Sequence, residues 1–189
     1  MKHIKLLLTV ALCLLAVCAW SQVLDKGVTK ELAEQRKANI SDVTYDLTFN
    51  IPAEQKSKVT GKVIISFSLK AKEDVILDFQ GKLTGNVYVG KKKRSVSQKN
   101  EHIIVPKKFL KPGIVTLTME FTSLDDALNR NSDYMYSLFV PDHARSAFPC
   151  FDQPDLRAKF YTKLNVPDGW KTMVSDGSNA IPTYLYSFV

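Results

Sequence analysis

Alternation of apolar and polar residues is the feature that most limits how this 189-residue chain can fold. Residues 43–51 and 59–69 place an apolar side chain or a glycine at every second position. Because successive side chains of a strand point to opposite faces, this period predicts strands with one buried and one wet side. Further strand-like runs, bounded by turn-forming residues, cover residues 75–79, 85–89, 102–105, 114–121, 137–140 and 160–166. Helical periodicity is almost absent, so we predict an all-β fold, an antiparallel β-sandwich or saddle.

The N-terminus predicts a secretory signal peptide over residues 1–21. Lys2 and Lys5 precede an apolar run of about 15 residues, which is shorter than the roughly 20 that span a membrane. Ala19 and Ser21 are small residues at the positions that favour cleavage after Ser21. We therefore expect an exported protein, periplasmic or secreted, with no transmembrane segment.

The alternative is an exported lipoprotein, which a lipid would anchor to a membrane. Residues 15–18 (Leu-Ala-Val-Cys) resemble a lipobox, which would attach the chain to a membrane through Cys18. Val17 argues against this, because Gly or Ala usually precedes the modified cysteine.

The rest of the chain is predicted to form one domain. Residues 22–42 are polar and are expected to form a surface lead-in, and residues 43–189 are expected to form the β-sandwich. Cleavage of the signal peptide would remove two of the three cysteines and leave Cys150 without an internal partner. The domain therefore has to be stabilised by its core, for which its length is sufficient.

The densest charge in the sequence is Lys-Lys-Lys-Arg at residues 91–94, directly after Gly90. Two interpretations remain open: a solvated hairpin tip, or a patch that binds an anionic surface or nucleic acid. No aromatic residues interleave with the run, so bases would have no stacking platform, and we predict no nucleic-acid partner.

Candidate catalytic groups are few. Beyond the signal peptide the sequence has two histidines, His102 in a strand-like run and His143 next to Asp142. We expect His102 to be a solvent-facing residue at a strand edge. A catalytic zinc site needs three protein ligands and an open position, which these residues do not supply. We therefore predict no metal and no cofactor in this chain.

The segment Phe-Pro-Cys-Phe-Asp-Gln-Pro-Asp at residues 148–155 is the least strand-like part of the sequence. Its apolar neighbours predict that Cys150 is a buried, inert thiol and not a nucleophile. Asp152 and Asp155 flank Gln-Pro, which predicts an Asx-type turn whose carboxylates bond nearby backbone amides. The residues alone indicate no catalytic constellation.

Residues 144–160 resemble the signature of the N-terminal domain of M1-family zinc aminopeptidases, in which the pattern is Arg-x-x-x-Pro-Cys-x-Asp-x-Pro. The resemblance spans about residues 32–176, nearly all of the chain beyond the signal peptide. It implies a β-saddle in which prolines and aspartates fix the turn and aromatic residues bury it. The residues expected to have this structural role are Arg145, Pro149, Cys150, Asp152, Pro154 and Asp155. Weaker upstream similarities lie at residues 33–36, Ile40, residues 45–47 and Gly61.

The resemblance also implies a reaction that this chain does not perform alone. In the family, zinc-bound water removes N-terminal residues from peptides, and the metal is held by a His-Glu-x-x-His helix and a further glutamate. Neither this motif nor the family's Gly-x-Met-Glu-Asn stretch occurs in the sequence. The implied partners are the missing catalytic domain and, in the intact enzyme, zinc and peptides.

Three residues are candidates for substrate contact. In the family, a Gln or Glu upstream of the motif arginine helps to anchor the substrate amine, and that position is Val140 here. Valine cannot accept a hydrogen bond, so either Asp142 replaces it or the amine is anchored differently. Val140, Asp142 and His143 are therefore expected at the edge of the substrate cleft.

The C-terminal residues 182–189 resemble the last strand of the family's domain, but only residues 178–181 stand where relatives have an additional hairpin. We expect a sandwich that is incomplete at this end, with an exposed strand edge, in a fragment of a larger enzyme. The alternatives are a stand-alone secreted β-sandwich that binds peptides or a protein partner, or an unrelated envelope module.

Overall fold

The structure is a computed structural model that describes residues 24–175 and 177–189. The predicted signal peptide, including Cys18, lies outside the described residues. No helix in the described ranges is long and apolar enough to cross a bilayer.

The described residues form mostly β-strands, as the alternation predicts, and the all-β fold is confirmed. The strands are β1 (Ile40–Asn50), β2 (Thr60–Leu69), β3 (Val75–Asp78), β4 (Lys82–Leu83), β5 (Val87–Val89), β6 (Lys92–Arg94), β7 (Ser97–Lys99), β8 (His102–Val105), β9 (Gly113–Thr122), β10 (Leu128–Arg130), β11 (Met135–Ser137) and β12 (Ala158–Asn165). The helical segments are α1 (Lys30–Asn39), α2 (Ala144–Ala147) and two 3₁₀ turns, Lys107–Phe109 and Thr183–Leu185.

The main sheet has the strand order β12–β1–β2–β9–β5–β6, and β4 also pairs with β9. Its centre is antiparallel, with Tyr45 opposite Ile65 and Ile65 opposite Leu117. One pair departs from the expected antiparallel arrangement, because β12 runs parallel to β1. A second sheet has the order β3–β8–β7, and β10 and β11 form a separate hairpin.

Both sheets contribute to one core. The inward residues of β1 are Tyr45, Leu47 and Phe49, and all three are fully buried. The Phe79 ring, just after β3, packs edge-on against Phe121 of β9 with the ring centroids 5.7 Å apart, which joins the two sheets. The alternation in β1 and β2 is therefore explained by a single buried face.

The described part of the predicted surface lead-in contains helix α1. The helix begins after Thr29, whose hydroxyl accepts a hydrogen bond of 3.2 Å from the Leu32 amide. Half of the ten helix residues are exposed, whereas Leu32 and Arg36 are buried. β1 then starts at Ile40, three residues before the predicted sandwich.

The C-terminal segment is not a regular strand over its whole length. It begins with a 3₁₀ turn, after which residues 186–189 run alongside residues 173–175. Met173 and Val189 exchange two backbone hydrogen bonds of 2.8 and 2.9 Å. This end of the chain therefore pairs with the segment that follows β12.

Candidate functional site

The motif turn, residues 148–157, connects the short helix α2 with β12, and its backbone is bonded to several parts of the fold. Cys150 exchanges backbone hydrogen bonds of 2.8 and 3.1 Å with Asp78 of β3. The Phe151 amide donates to the Tyr45 hydroxyl at 2.8 Å, and the Phe151 carbonyl accepts from the Thr183 hydroxyl at 3.0 Å. The turn is thereby fixed between the two sheets.

A buried ion pair lies under the turn. The Arg36 guanidinium donates to both carboxylate oxygens of Asp78, at 2.7 and 2.8 Å. The same guanidinium donates to the Ile76 carbonyl, and it lies over the Phe151 ring, 5.5 Å from its centroid. Burial alone would raise the pKa of Asp78, but the charge of Arg36 and the bonds to the carboxylate lower it. The pair joins helix α1 to strand β3 and to the motif turn.

His102 completes this cluster. Its Nδ1 lies 2.9 Å from an Asp78 oxygen, and its Nε2 lies 2.9 Å from the Asp25 carbonyl. Because both ring nitrogens face oxygen acceptors, the geometry favours the protonated ring. Burial opposes this charge, but the bond to Asp78 and the Asp78 charge outweigh it and raise the pKa of His102. The prediction of a solvent-facing His102 is wrong, because the ring is fully buried as a partner of Asp78.

Asp152 has a different environment from the predicted Asx-type turn. Its carboxylate accepts a hydrogen bond of 3.0 Å from the Arg145 amide, seven residues earlier. Its own amide donates to Asp78 at 2.9 Å. Burial raises the pKa of Asp152 to about 7, opposed by the bond from Arg145 and supported by the Asp78 charge. Asp152 therefore links α2 to the buried cluster.

Asp155 lies at the surface on the other side of Pro154. It accepts a hydrogen bond of 2.9 Å from the Gln153 side chain and pairs with Lys37 at 3.0 Å. The bond from Gln153 lowers the pKa of Asp155. Through its ion pair with Lys37, Asp155 joins the motif turn to helix α1.

The prediction of a buried thiol at Cys150 is confirmed. The side chain is fully buried, and burial raises the pKa of the thiol well above its usual value. A protonated thiol without solvent access is a poor nucleophile. Cys150 is part of the core.

The three candidate substrate residues lie together at the surface, immediately before α2. Val140 is half exposed, and His143 is exposed and caps α2 through its carbonyl, which accepts from Ser146. The Asp142 carboxylate pairs with the Arg145 guanidinium at 2.8 Å. Two other nitrogens of Arg145, Nε and Nη1, are buried without a hydrogen-bond partner. Asp142 is therefore held in place by the motif arginine.

The sequence reasoning missed the apolar residues that precede Val140. Along residues 134–140 every second side chain is exposed, and these side chains form a stripe that consists of Tyr134, Tyr136, Leu138 and Val140. We call this the apolar stripe.

The sequence reasoning also missed Asp78, although a lone carboxylate inside the apolar run Val-Ile-Leu-Asp-Phe indicates a buried charge that needs a partner.

The described residues do not fit a catalytic zinc ion. No three His, Cys, Asp or Glu side chains in the described part of the chain are placed to hold one metal. Both nitrogens of His102 are occupied by Asp78 and Asp25. We therefore assign no step of metal chemistry to these residues.

Together, the fold and the site define an all-β domain whose buried ionisable groups fix a connecting turn near a surface edge. The sequence matches the family described as the Peptidase M1 N-terminal domain over residues 41–184. The chain belongs to this family.

Curated relatives match over shorter stretches. A probable M1 family aminopeptidase 2 from Encephalitozoon cuniculi is 34% identical over 109 residues, which cover 54% of this chain and 12% of the relative. Aminopeptidase N from Streptomyces lividans is 34% identical over 68 residues, which cover 33% of this chain and 8% of the relative. The chain thus spans only a small part of these relatives' length.

Solved structures support the fold. Leukotriene A4 hydrolase from Saccharomyces cerevisiae has a TM-score of 0.67 at 17% identity, covering 90% of this chain and 31% of that one. An M1 zinc metallopeptidase from Deinococcus radiodurans, in a variant bound to a Tyr-Ser-Ala substrate, has a TM-score of 0.68 at 18% identity. That match covers 79% of this chain and 42% of the other.

Proposed function

We propose that this chain is the N-terminal domain of an exported M1-type zinc metallo-aminopeptidase and is not catalytic by itself. The observation that carries the proposal is the family match over residues 41–184, which includes the complete motif together with Asp78 and His102. In the intact enzyme a separate catalytic domain supplies the zinc and removes N-terminal residues from peptides. Export rests on the predicted signal peptide and leads to the periplasm or outside the cell.

In this proposal the domain contributes an edge of the peptide cleft. The Asp142 carboxylate is positioned by Arg145, is about half exposed, and can accept a hydrogen bond from the ammonium group of a peptide. Val140 offers an apolar contact beside it. The buried cluster of Arg36, Asp78 and His102 holds this edge in place through the motif turn, and does not touch the peptide.

The native product tests the proposal. An antibody against the described domain should precipitate, from envelope and secreted fractions of the source cells, a polypeptide much larger than the 21.3 kDa of this chain. The precipitate should cleave aminoacyl anilides, and a chelator should abolish the cleavage. A product of 21 kDa or slightly less, without this activity, would contradict the proposal.

A stand-alone binding domain is the second candidate, and the apolar stripe is the observation that favours it. Four exposed apolar side chains in one extended segment suit the binding of a peptide or a protein partner. A small native product that binds a peptide library, with binding lost in the variant Leu138→Ser, would support this candidate.

A further inference from the structure

One end of the main sheet carries the net charge of the whole chain. Three segments form it, residues 70–74, 90–94 and 106–113, and we call them the basic end. They hold nine of the chain's 26 Lys and Arg residues but only two of its 19 Asp and Glu residues. The other 17 basic and 17 acidic residues cancel, so the formal charge of +7 belongs to the basic end.

The three segments are adjacent in the fold. Leu69, at the end of β2, lies opposite Gly113, at the start of β9. The Lys107 amide donates to the Asp74 carboxylate at 2.7 Å. The β5–β6 hairpin reaches the same place, because the Arg94 guanidinium lies over the Phe109 ring, 4.8 Å from its centroid.

The positive charges of the basic end are not neutralised by neighbours. Among the described residues, none of its nine basic side chains forms an ion pair, and all but Arg94 are exposed. These residues are Lys70, Lys72, Lys91, Lys92, Lys93, Arg94, Lys107, Lys108 and Lys111. The two acidic residues are hydrogen-bonded to groups of the protein. Glu73 accepts from the side-chain amides of Gln35 and Asn39, and Asp74 accepts from the Lys107 backbone amide. The surface potential there is therefore positive.

An exposed aliphatic residue lies at the same end. Ile114 is 84% exposed, more than any other large apolar residue in the described chain, and the three residues before it are also exposed. An aliphatic side chain gains nothing from phosphate groups, but it is stabilised when it enters the acyl boundary of a bilayer. Lysines around such a side chain are typical of proteins that lie on anionic membranes.

We propose that the basic end binds the surface of an anionic membrane, with its lysines at the lipid phosphates and Ile114 inserted between headgroups. Eight of the nine basic residues are lysines, which act as point charges, whereas nucleic-acid recognition favours the bidentate guanidinium of arginine. The half-buried Phe109 ring is covered by Arg94 and Lys108 and is not free to stack on a base. The proposal is independent of the aminopeptidase assignment.

Vesicle co-sedimentation of the full chain tests this proposal. Two partition coefficients are measured, one for vesicles of phosphatidylcholine mixed with phosphatidylglycerol and one for vesicles of phosphatidylcholine alone. The quantity compared between variants is the first coefficient divided by the second. Residues 1–21 are the same in every variant, so differences in this ratio between variants isolate the basic end. Each lysine near an anionic surface is worth about fivefold in binding. The variant K91Q/K92Q/K93Q/K111Q should therefore lower the ratio by several hundredfold, on the order of four factors of five.

A matched control removes four exposed lysines elsewhere, K56Q/K62Q/K163Q/K171Q, and should keep most of the ratio. Ile114→Ser should lower partition into the anionic vesicles about tenfold, while Leu185→Ser, at another exposed aliphatic residue, should not. Equal losses in the two lysine sets, or equal binding to neutral vesicles, would overturn the proposal. So would an absence of vesicle binding together with tight binding to an oligonucleotide, which would assign the surface to nucleic acid.

Discussion

Asp78 is the residue on which most of the candidate site depends. Its carboxylate contacts Arg36 from helix α1, His102 from β8 and the Asp152 amide from the motif turn. A buried carboxylate is unfavourable unless it is paired and hydrogen-bonded, and here both oxygens are engaged. Three segments far apart in sequence are thus held by a single charged group.

Removal of the arginine partner should therefore destabilise the domain strongly. Arg36→Met leaves Asp78 and His102 without their main counter-charge, and we expect a loss of about 3–5 kcal/mol in the free energy of unfolding. Urea unfolding followed by circular dichroism measures this loss. The control is Lys37→Met, the next residue of α1, whose pair with Asp155 is exposed and should be worth less than about 1 kcal/mol. Similar losses in both variants would contradict the assigned role of the pair.

Asp152 predicts a pH dependence of stability. Its pKa is about 7 in the folded chain and 3.8 as the reference for the unfolded chain, so between these values the folded state binds more protons. Stability should therefore fall as pH rises from 5 to 8. His102 acts in the same direction, because its pKa is raised and its stabilisation is lost as pH rises through the folded value.

The variant Asp152→Asn separates the two groups. It keeps an oxygen that can accept from the Arg145 amide but removes the ionisation. Relative to the unsubstituted chain, it should gain roughly 2–3 kcal/mol between pH 5 and pH 8. Asp155→Asn is the control, because the pKa of Asp155 is lowered and its contribution is lost only under acidic conditions. An unchanged slope in Asp152→Asn would mean that Asp152 does not titrate in this range.

At the scale of strands, the sequence predicts the positions of long strands that bury one face. The alternation in β1, β2 and β9 corresponds to observed strands within three residues at each end. Strands β4, β6, β7 and β10 were not predicted, because each has only two or three residues, too few to show a period. The strand predicted at residues 137–140 is wrong except at Ser137, since the observed strand β11 ends there. The parallel pairing of β1 with β12 could not be predicted either, since parallel and antiparallel strands share the same period.

The sequence predicts only those residues of the candidate site that lie close together along the chain. The motif residues are adjacent in sequence, so their grouping is visible without a structure. Arg36 and Asp78 are 42 residues apart and come together through the docking of α1, which no local pattern encodes. The apolar stripe could not be predicted, because the sequence Tyr-Met-Tyr-Ser-Leu-Phe-Val has apolar residues on both faces and shows no alternation of polarity.

The close approach of β2 to its neighbours gives a prediction at the same scale. A Cβ added at Gly61 would lie 2.6 Å from the Thr48 carbonyl oxygen and 2.5 Å from the Phe121 ring. Gly61→Ala should therefore force the strands apart and cost roughly 1–3 kcal/mol in the free energy of unfolding. Lys62→Ala, at the next and exposed position, should change it by less than about 0.5 kcal/mol. Equal urea midpoints for Gly61→Ala and the unsubstituted chain would show that the sheet adjusts without strain.

At the scale of the molecule, the described ionisable groups are divided between two tasks. The buried ones, with Asp78, His102 and Asp152 at their centre, fix the motif turn, and their partners leave no open position for a metal or a substrate. Among the exposed ones, the excess of positive over negative charge is concentrated at the basic end, where it makes the surface potential positive.

This division predicts that the chain alone is inactive. The purified protein, incubated with zinc and dialysed, should hold much less than one zinc ion per chain in metal analysis, because the described residues offer no set of three ligands. It should not hydrolyse aminoacyl anilides at a rate above that of a heat-denatured sample. The large native polypeptide precipitated by the same antibody serves as the positive control. One zinc ion per chain together with chelator-sensitive hydrolysis would refute the assignment of this chain as a non-catalytic domain, and loss of both in the variant His143→Ala would then place the metal at the cleft edge.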